Sequence, residues 1–130
     1  MADRSADWLK QADADLRHAR HAQEAGHYEW AAFASHQAAE MAIKGLFKRL
    51  DLDAWGRALS GLLAELPDPI EADAELLNRA RELDKHFIMA RYPDGYDSGA
   101  PVDYYTPGEA QRAVDHAEAI IAFCRDHTQK

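Results

Sequence analysis

Four polar side chains stand where a helical pattern calls for apolar ones or at its border, and they have the most chemistry to offer. Between Tyr28 and Leu50 small and apolar residues recur at helical spacing, yet Gln37 falls on their face, with Glu40 and Lys44 flanking it. Glu40 precedes Lys44 by one helical turn, the favoured order for an ion pair along a helix. Further on, Asp84 interrupts the stripe of Leu76, Leu77, Ala80, Leu83 and Phe87. A carboxylate buried without a partner is very unfavourable, so Asp84 requires one, and Lys44, Arg91 and a loop tyrosine are the candidates. Gln37, Glu40 and Asp84 therefore read as a polar network tying two helices and a loop together, serving either structure alone or a binding site.

Other residue types that could do chemistry are scattered. Tyr92, Tyr96, Tyr104 and Tyr105 gather in one connection, Arg91 to Tyr105, whose length marks it either as a functional loop or as a plug for one end of the fold. His18 and His21, or His36 with Glu40, sit at spacings that put two ligands on one helix face, but no further Cys or His completes a coordination sphere. Gly95 and Gly99 are too isolated to cradle phosphate, and no serine nucleophile motif is present. The sequence calls for no metal and no cofactor.

The elements that must position these groups are helices. Five segments follow the helical period and none alternates with a period of two, which predicts an all-α, up-and-down bundle with a long loop before its last helix. The first runs from about Ser5 to Ala25, with Trp8, Leu9, Ala12, Leu16 and Ala19 inward and Gly26 as its stop. The second runs from about Tyr28 to Leu50. Trp30, Ala34, Ala38, Met41 and Gly45 share one face, and so many small residues permit another helix to approach closely. A third is expected from about Ala54 to Leu66, with Asp53 as its N-cap and Pro67 beyond its end. The fourth covers about Asp73 to Ile88. Thr106-Pro107-Gly108-Glu109 has the form of a capping box and opens the last helix, which turns Ala110, Ala113, Val114, Ala117, Ile120, Ile121 and Cys124 to one side.

Bulk properties bound the function. The 130 residues, 47% of them hydrophobic, suit a single domain over 1–130 that buries a core unaided. The opening Met1-Ala2-Asp3-Arg4-Ser5 lacks a signal-peptide core, no apolar run is long enough to span a membrane, and a lone Cys124 makes no internal disulfide. A cytoplasmic protein is expected. The net charge of −8, from 15 Lys and Arg against 23 Asp and Glu, argues against duplex DNA but leaves room for a local cationic pocket gripping one phosphate.

The run Gln37-Ala38-Ala39-Glu40-Met41-Ala42-Ile43-Lys44-Gly45-Leu46, followed by Leu83-Asp84-Lys85-His86-Phe87 and by Arg91-Tyr92-Pro93-Asp94, resembles the HEPN (higher eukaryotes and prokaryotes nucleotide-binding) domain. The likeness extends to Trp8-Leu9, Asp15-Leu16, Tyr28, Ala31, Phe33 and the closing helix, nearly the whole chain. The resemblance implies a helical bundle that forms a homodimer. Small prokaryotic members are often encoded beside a minimal nucleotidyltransferase, with which some make toxin–antitoxin pairs. Catalytic members are metal-independent ribonucleases that leave 2′,3′-cyclic phosphate ends, with four to six residues standing between an Arg and a following His.

Arg81 and His86 have that spacing, and so do Arg79 and His86. Histidine suits the base that takes the ribose 2′-hydroxyl proton, and arginine suits the scissile phosphate. On an ideal helix Arg81 and His86 lie about 140° apart and Arg79 and His86 about 20° apart, so Arg79 is the better companion unless a second subunit completes the site. Glu82 stands where catalytic members commonly have a small polar residue, and Ile88 where they commonly have a tyrosine. Two functions are thus expected. One is a dimeric RNA endonuclease, the toxin of such a pair, using His86 with Arg81 or Arg79. The other is a non-catalytic module that holds a nucleotide or docks a nucleotidyltransferase through Lys44, Arg91, Tyr92 and Asp94.

Overall fold

Helix α1 (Ser5–Glu24) ends where Gly26 takes a positive φ of 84°, a conformation that costs glycine nothing, and its N–H bonds back to the Gln23 carbonyl. The chain then reverses into α2 (Tyr28–Arg49). This computed structural model describes residues 3–129; Met1, Ala2 and Lys130, including the first two residues of the opening stretch, lie outside the described residues. Helices α3 (Leu59–Ala64), α4 (Ala74–Met89), α5 (Pro101–Tyr104) and α6 (Pro107–Thr128) follow, and no strand occurs among the described residues. The all-α bundle expected from periodicity is therefore the fold, with six α-helices among the described residues rather than five segments. The extra one is the single turn α5, inside the long loop.

Helix α2 packs against α1, α3, α4 and α6, which is why it is buried on almost every side. Its small residues serve a neighbour within the chain. A β-carbon on Gly45 would come within 2.9 Å of Trp8 Cβ, so only hydrogen fits where α1 crosses. Ile43, Leu46, Leu83 and Ile120 are fully buried in the middle, with Leu9, Leu16, Leu76 and Ile121 around them. Trp8 and Phe87 are only half-buried, and Trp30, at the open end of α2, is 51% exposed.

The third helix departs from expectation. It starts at Leu59, not Ala54, because Gly56 adopts a positive φ of 87° and breaks the helical path. Asp53 therefore does not cap it. Asp84 does, reaching across from α4: its Oδ1 accepts from Leu59 N–H at 2.6 Å, and its Oδ2 accepts from Ser60 N–H at 3.3 Å and the Ser60 hydroxyl at 2.7 Å. The expected partners of Asp84, a cation or a tyrosine, are thus replaced by orphan N–H groups and a serine. The opening of α6 is as expected, with Thr106 Oγ1 accepting from Glu109 N–H and Pro107 at the first turn.

The tyrosine-rich connection is held down by its own rings. Tyr96 and Tyr104 stack with centroids 4.3 Å apart, and their hydroxyls donate to the carbonyls of Met89 and Ser98. Among the described residues no helix is long and apolar enough to cross a membrane.

Candidate functional site

Helix α4 stops at Met89, and the next turn throws Arg91 back against α2. Its Nε donates to the Phe87 carbonyl at 2.9 Å, one of the unpaired carbonyls at the helix end. The guanidinium lies over three rings, 4.4 Å from Phe33, 4.5 Å from Phe87 and 4.8 Å from Tyr92. From the other side Arg57, placed by the break at Gly56, lies 4.8 Å over the same Phe87 ring. Between them opens a cleft of about 520 Å³ whose remaining walls are Gln37, Glu40, Lys44, Ala54 and Gly56.

The charges of this cleft do not cancel. Lys44 Nζ meets Glu40 Oε2 at 2.6 Å, the ion pair expected from their spacing. Among the described residues, however, neither Arg57 nor Arg91 has a carboxylate within ion-pair distance, whereas Arg4, Arg20, Arg79 and Arg125 each have one. Two guanidinium groups sharing one aromatic ring without a counter-charge leave a site complementary to an anion. Behind the ring wall His36 is fully buried, stacked on Phe33 and tilted against Phe87, and neither ring nitrogen has a hydrogen-bond partner among the described residues. Burial pushes its pKa below the usual histidine value, which keeps the ring neutral.

The other residues singled out in the sequence go elsewhere. His86 Nδ1 lies 2.6 Å from the Tyr105 hydroxyl, and burial, with His36 and His116 adding to it, lowers its pKa to about 4. Tyr105 is itself pushed up by burial. Arg81 is exposed and donates to Asn78 Oδ1 at 2.8 Å. Arg79 donates to His116 Nδ1 of α6 at 3.1 Å and pairs with Glu75 at 3.3 Å. Within one chain, then, neither arginine meets His86. Arg79 does share its face of α4, but two turns of helix, roughly 10 Å, separate them, and His116 takes the guanidinium. Since a guanidinium only donates, Nδ1 of His116 is an acceptor and the ring proton sits on Nε2, 3.1 Å from Glu82.

Of the binding candidates, Lys44 and Arg91 line the cleft, as do Gln37 and Glu40 of the polar network. Tyr92 stands at its edge beneath Arg91. Asp94 is exposed in a 3-10 turn, Pro93–Gly95, and does not line the cleft. Asp84 supports it from behind by fixing α3. Sequence reasoning misses Arg57, Phe33 and Phe87 as site residues. Periodicity puts Arg57 inside a helix, and Gly56 just before it is the available signal of a break. No group of three or more His, Cys, Asp or Glu side chains arranged to hold a metal ion occurs among the described residues.

The family model for the HEPN domain matches residues 5–127. The chain belongs to the HEPN family. Crystal structures of similar chains agree: TT1696 from Thermus thermophilus is 42% identical with a TM-score of 0.94, covering 97% of this chain and 99% of that one. ST0689, an archaeal HEPN homologue, is 38% identical with a TM-score of 0.82, covering 98% and 99%. A HEPN domain protein from Thermotoga maritima is 42% identical with a TM-score of 0.74, covering 92% and 95%. Among curated proteins, "Putative toxin MJ1304" of Methanocaldococcus jannaschii is 24% identical over 128 residues, covering 92% of this chain and 84% of its own.

Proposed function

We propose that this chain is a toxin-type HEPN protein of the cytoplasm whose working site is the cleft between α2 and the end of α4. There it grips the phosphate of a nucleotide or of RNA. The observation that carries this is the pair of guanidiniums, Arg57 and Arg91, both over Phe87 and neither with a carboxylate within ion-pair distance among the described residues, in a chain whose net charge is −8. Lys44, paired with Glu40, lines the same cleft, and Gln37 adds a neutral donor. The relative named as a toxin supports the toxin-type reading. Calorimetric titration with pyrophosphate tests it. Binding that weakens steeply with salt, and that Arg91→Ala and Arg57→Ala each reduce about tenfold or more, is the expected result. Indifference to both substitutions would refute it.

A second reading is the metal-independent ribonuclease, favoured by His86: its ring is neutral at pH 7, and Nε2 has no hydrogen-bond partner among the described residues. As a base it must donate Nδ1–H to the Tyr105 oxygen, leaving the Nε2 lone pair free, and it must receive an arginine from a second copy. RNA cleavage abolished by His86→Ala would support it; purified protein inert on RNA would count against it. Self-association and docking of a nucleotidyltransferase belong to the same picture. Sedimentation and co-purification with such an enzyme test them.

A further inference from the structure

Beside the phosphate cleft, sharing Lys44 and Ala54 with it, lies a second cavity of about 350 Å³, lined also by Trp8, Phe47, Lys48, Leu52, Asp53 and Trp55. Its chemistry is different. Phe47 and Leu52 give it apolar surface, and two indoles supply aromatic faces. Trp55, in the connection between α2 and α3, is 80% exposed, an unusual state for so large an apolar ring. The Lys48 ammonium lies 6.0 Å from the Trp8 centroid, and Asp53 contributes the acceptor at the rim.

We infer that this cavity receives the base of a nucleoside phosphate whose phosphate is held by Arg57 and Arg91. The inference rests on the phosphate reading above and extends it to the rest of the ligand. A base is planar, with two faces that stack on indole and an edge carrying N–H donors that a carboxylate accepts. The order of the walls follows the order of such a ligand: indoles for the base, Lys44 at the shared boundary beside the ribose, and guanidiniums for the phosphate. Phosphate or pyrophosphate alone would engage Arg57 and Arg91 and leave Trp8 and Trp55 unused. The same chemistry is offered by a free nucleotide and by one residue of single-stranded RNA.

Titration calorimetry on the full chain with inorganic phosphate, ribose 5-phosphate, AMP and a five-residue oligoadenylate separates these cases. AMP should bind about tenfold tighter than ribose 5-phosphate, the usual size of a base-stacking gain. Trp55→Ala should erase that preference while leaving ribose 5-phosphate binding unchanged, and Trp55→Phe should keep most of it. Because Trp55 is mostly in solvent, both variants should fold, which circular dichroism checks. Tighter binding of the oligoadenylate than of AMP supports the inference with RNA as the source; equal or weaker binding supports it with the free nucleotide. Equal affinity for AMP and ribose 5-phosphate, or a preference that survives Trp55→Ala, would overturn the base pocket and leave the phosphate cleft standing. Failure of all four ligands to bind would overturn both.

Discussion

Taking the protein from pH 7.5 towards pH 4 loads a proton onto the unfolded chain well before the folded one accepts it, and His86 sets the size of the effect. Its pKa is about 4 when folded, against an ordinary value of 6.5, because burial disfavours the imidazolium and His36 and His116 lie close by. Lys85 acts in the same direction, and Glu82 opposes it. A base whose folded pKa is depressed contributes its full stability above the unfolded pKa and loses it as the pH falls towards the folded one. Between those values the slope approaches about 1.4 kcal/mol per pH unit. The loss reaches about 2 kcal/mol by pH 5 and about 3 kcal/mol near pH 4, a large part of a typical domain's stability. His36 pushes the same way. Urea unfolding at pH 7.5 and pH 5, on the wild type and on His86→Gln, isolates the contribution, since glutamine keeps a polar group near Tyr105 but does not titrate. The variant should lose about 2 kcal/mol less between the two pH values. An equal loss in both proteins would refute the assignment of a neutral, buried His86.

Three further outcomes are expected. Gly45→Ala sets helix propensity, which favours alanine by about 1 kcal/mol, against a β-carbon 2.9 Å from the Trp8 Cβ and 3.4 Å from the Ser5 carbonyl oxygen; neither atom yields without moving α1, so Tm should fall by several degrees, and a rise would show that the helices part freely. Asp84→Ala strips three acceptor contacts from the start of α3 and should cost about 2 kcal/mol, with Leu59 and Ser60 amides losing exchange protection; unchanged protection would mean that α3 is held by packing alone. Cys124, fully buried with its thiol pKa raised by burial, should resist an aromatic disulfide reagent until the protein unfolds; rapid labelling of the native protein would contradict the packing of α6.

Periodicity carries the long helices almost to their ends, because each has a stripe wide enough to pack and a stop that is chemical and local: Gly26 after α1, Thr106 and Pro107 before α6. The Glu40–Lys44 pair is legible for the same reason, both partners lying on one helix. What escapes are long-range choices. Asp84 shows in the sequence that it needs a partner, but nothing local says that the partner is a helix start 25 residues earlier in the chain. Arg57 is hidden by reading Ala54 to Leu66 as continuous helix, when one glycine at positive φ turns that arginine towards Phe87. The Arg-then-His spacing is real in sequence, yet side-chain direction decides its use: Arg81 points to water, and Arg79 is taken by α6.

The seating of Arg91 has one more consequence. Its long side chain is immobilised by three rings and a carbonyl of the protein's own, so the rotamer entropy usually surrendered when a ligand arrives has been lost during folding. The anion proposed for this cleft would meet a rigid, flat fork rather than a wandering charge. Arg91→Lys would keep the charge but not the plane, and in the proposed phosphate site any selectivity for oxygens set at the spacing of the fork would be lost even where attraction survived.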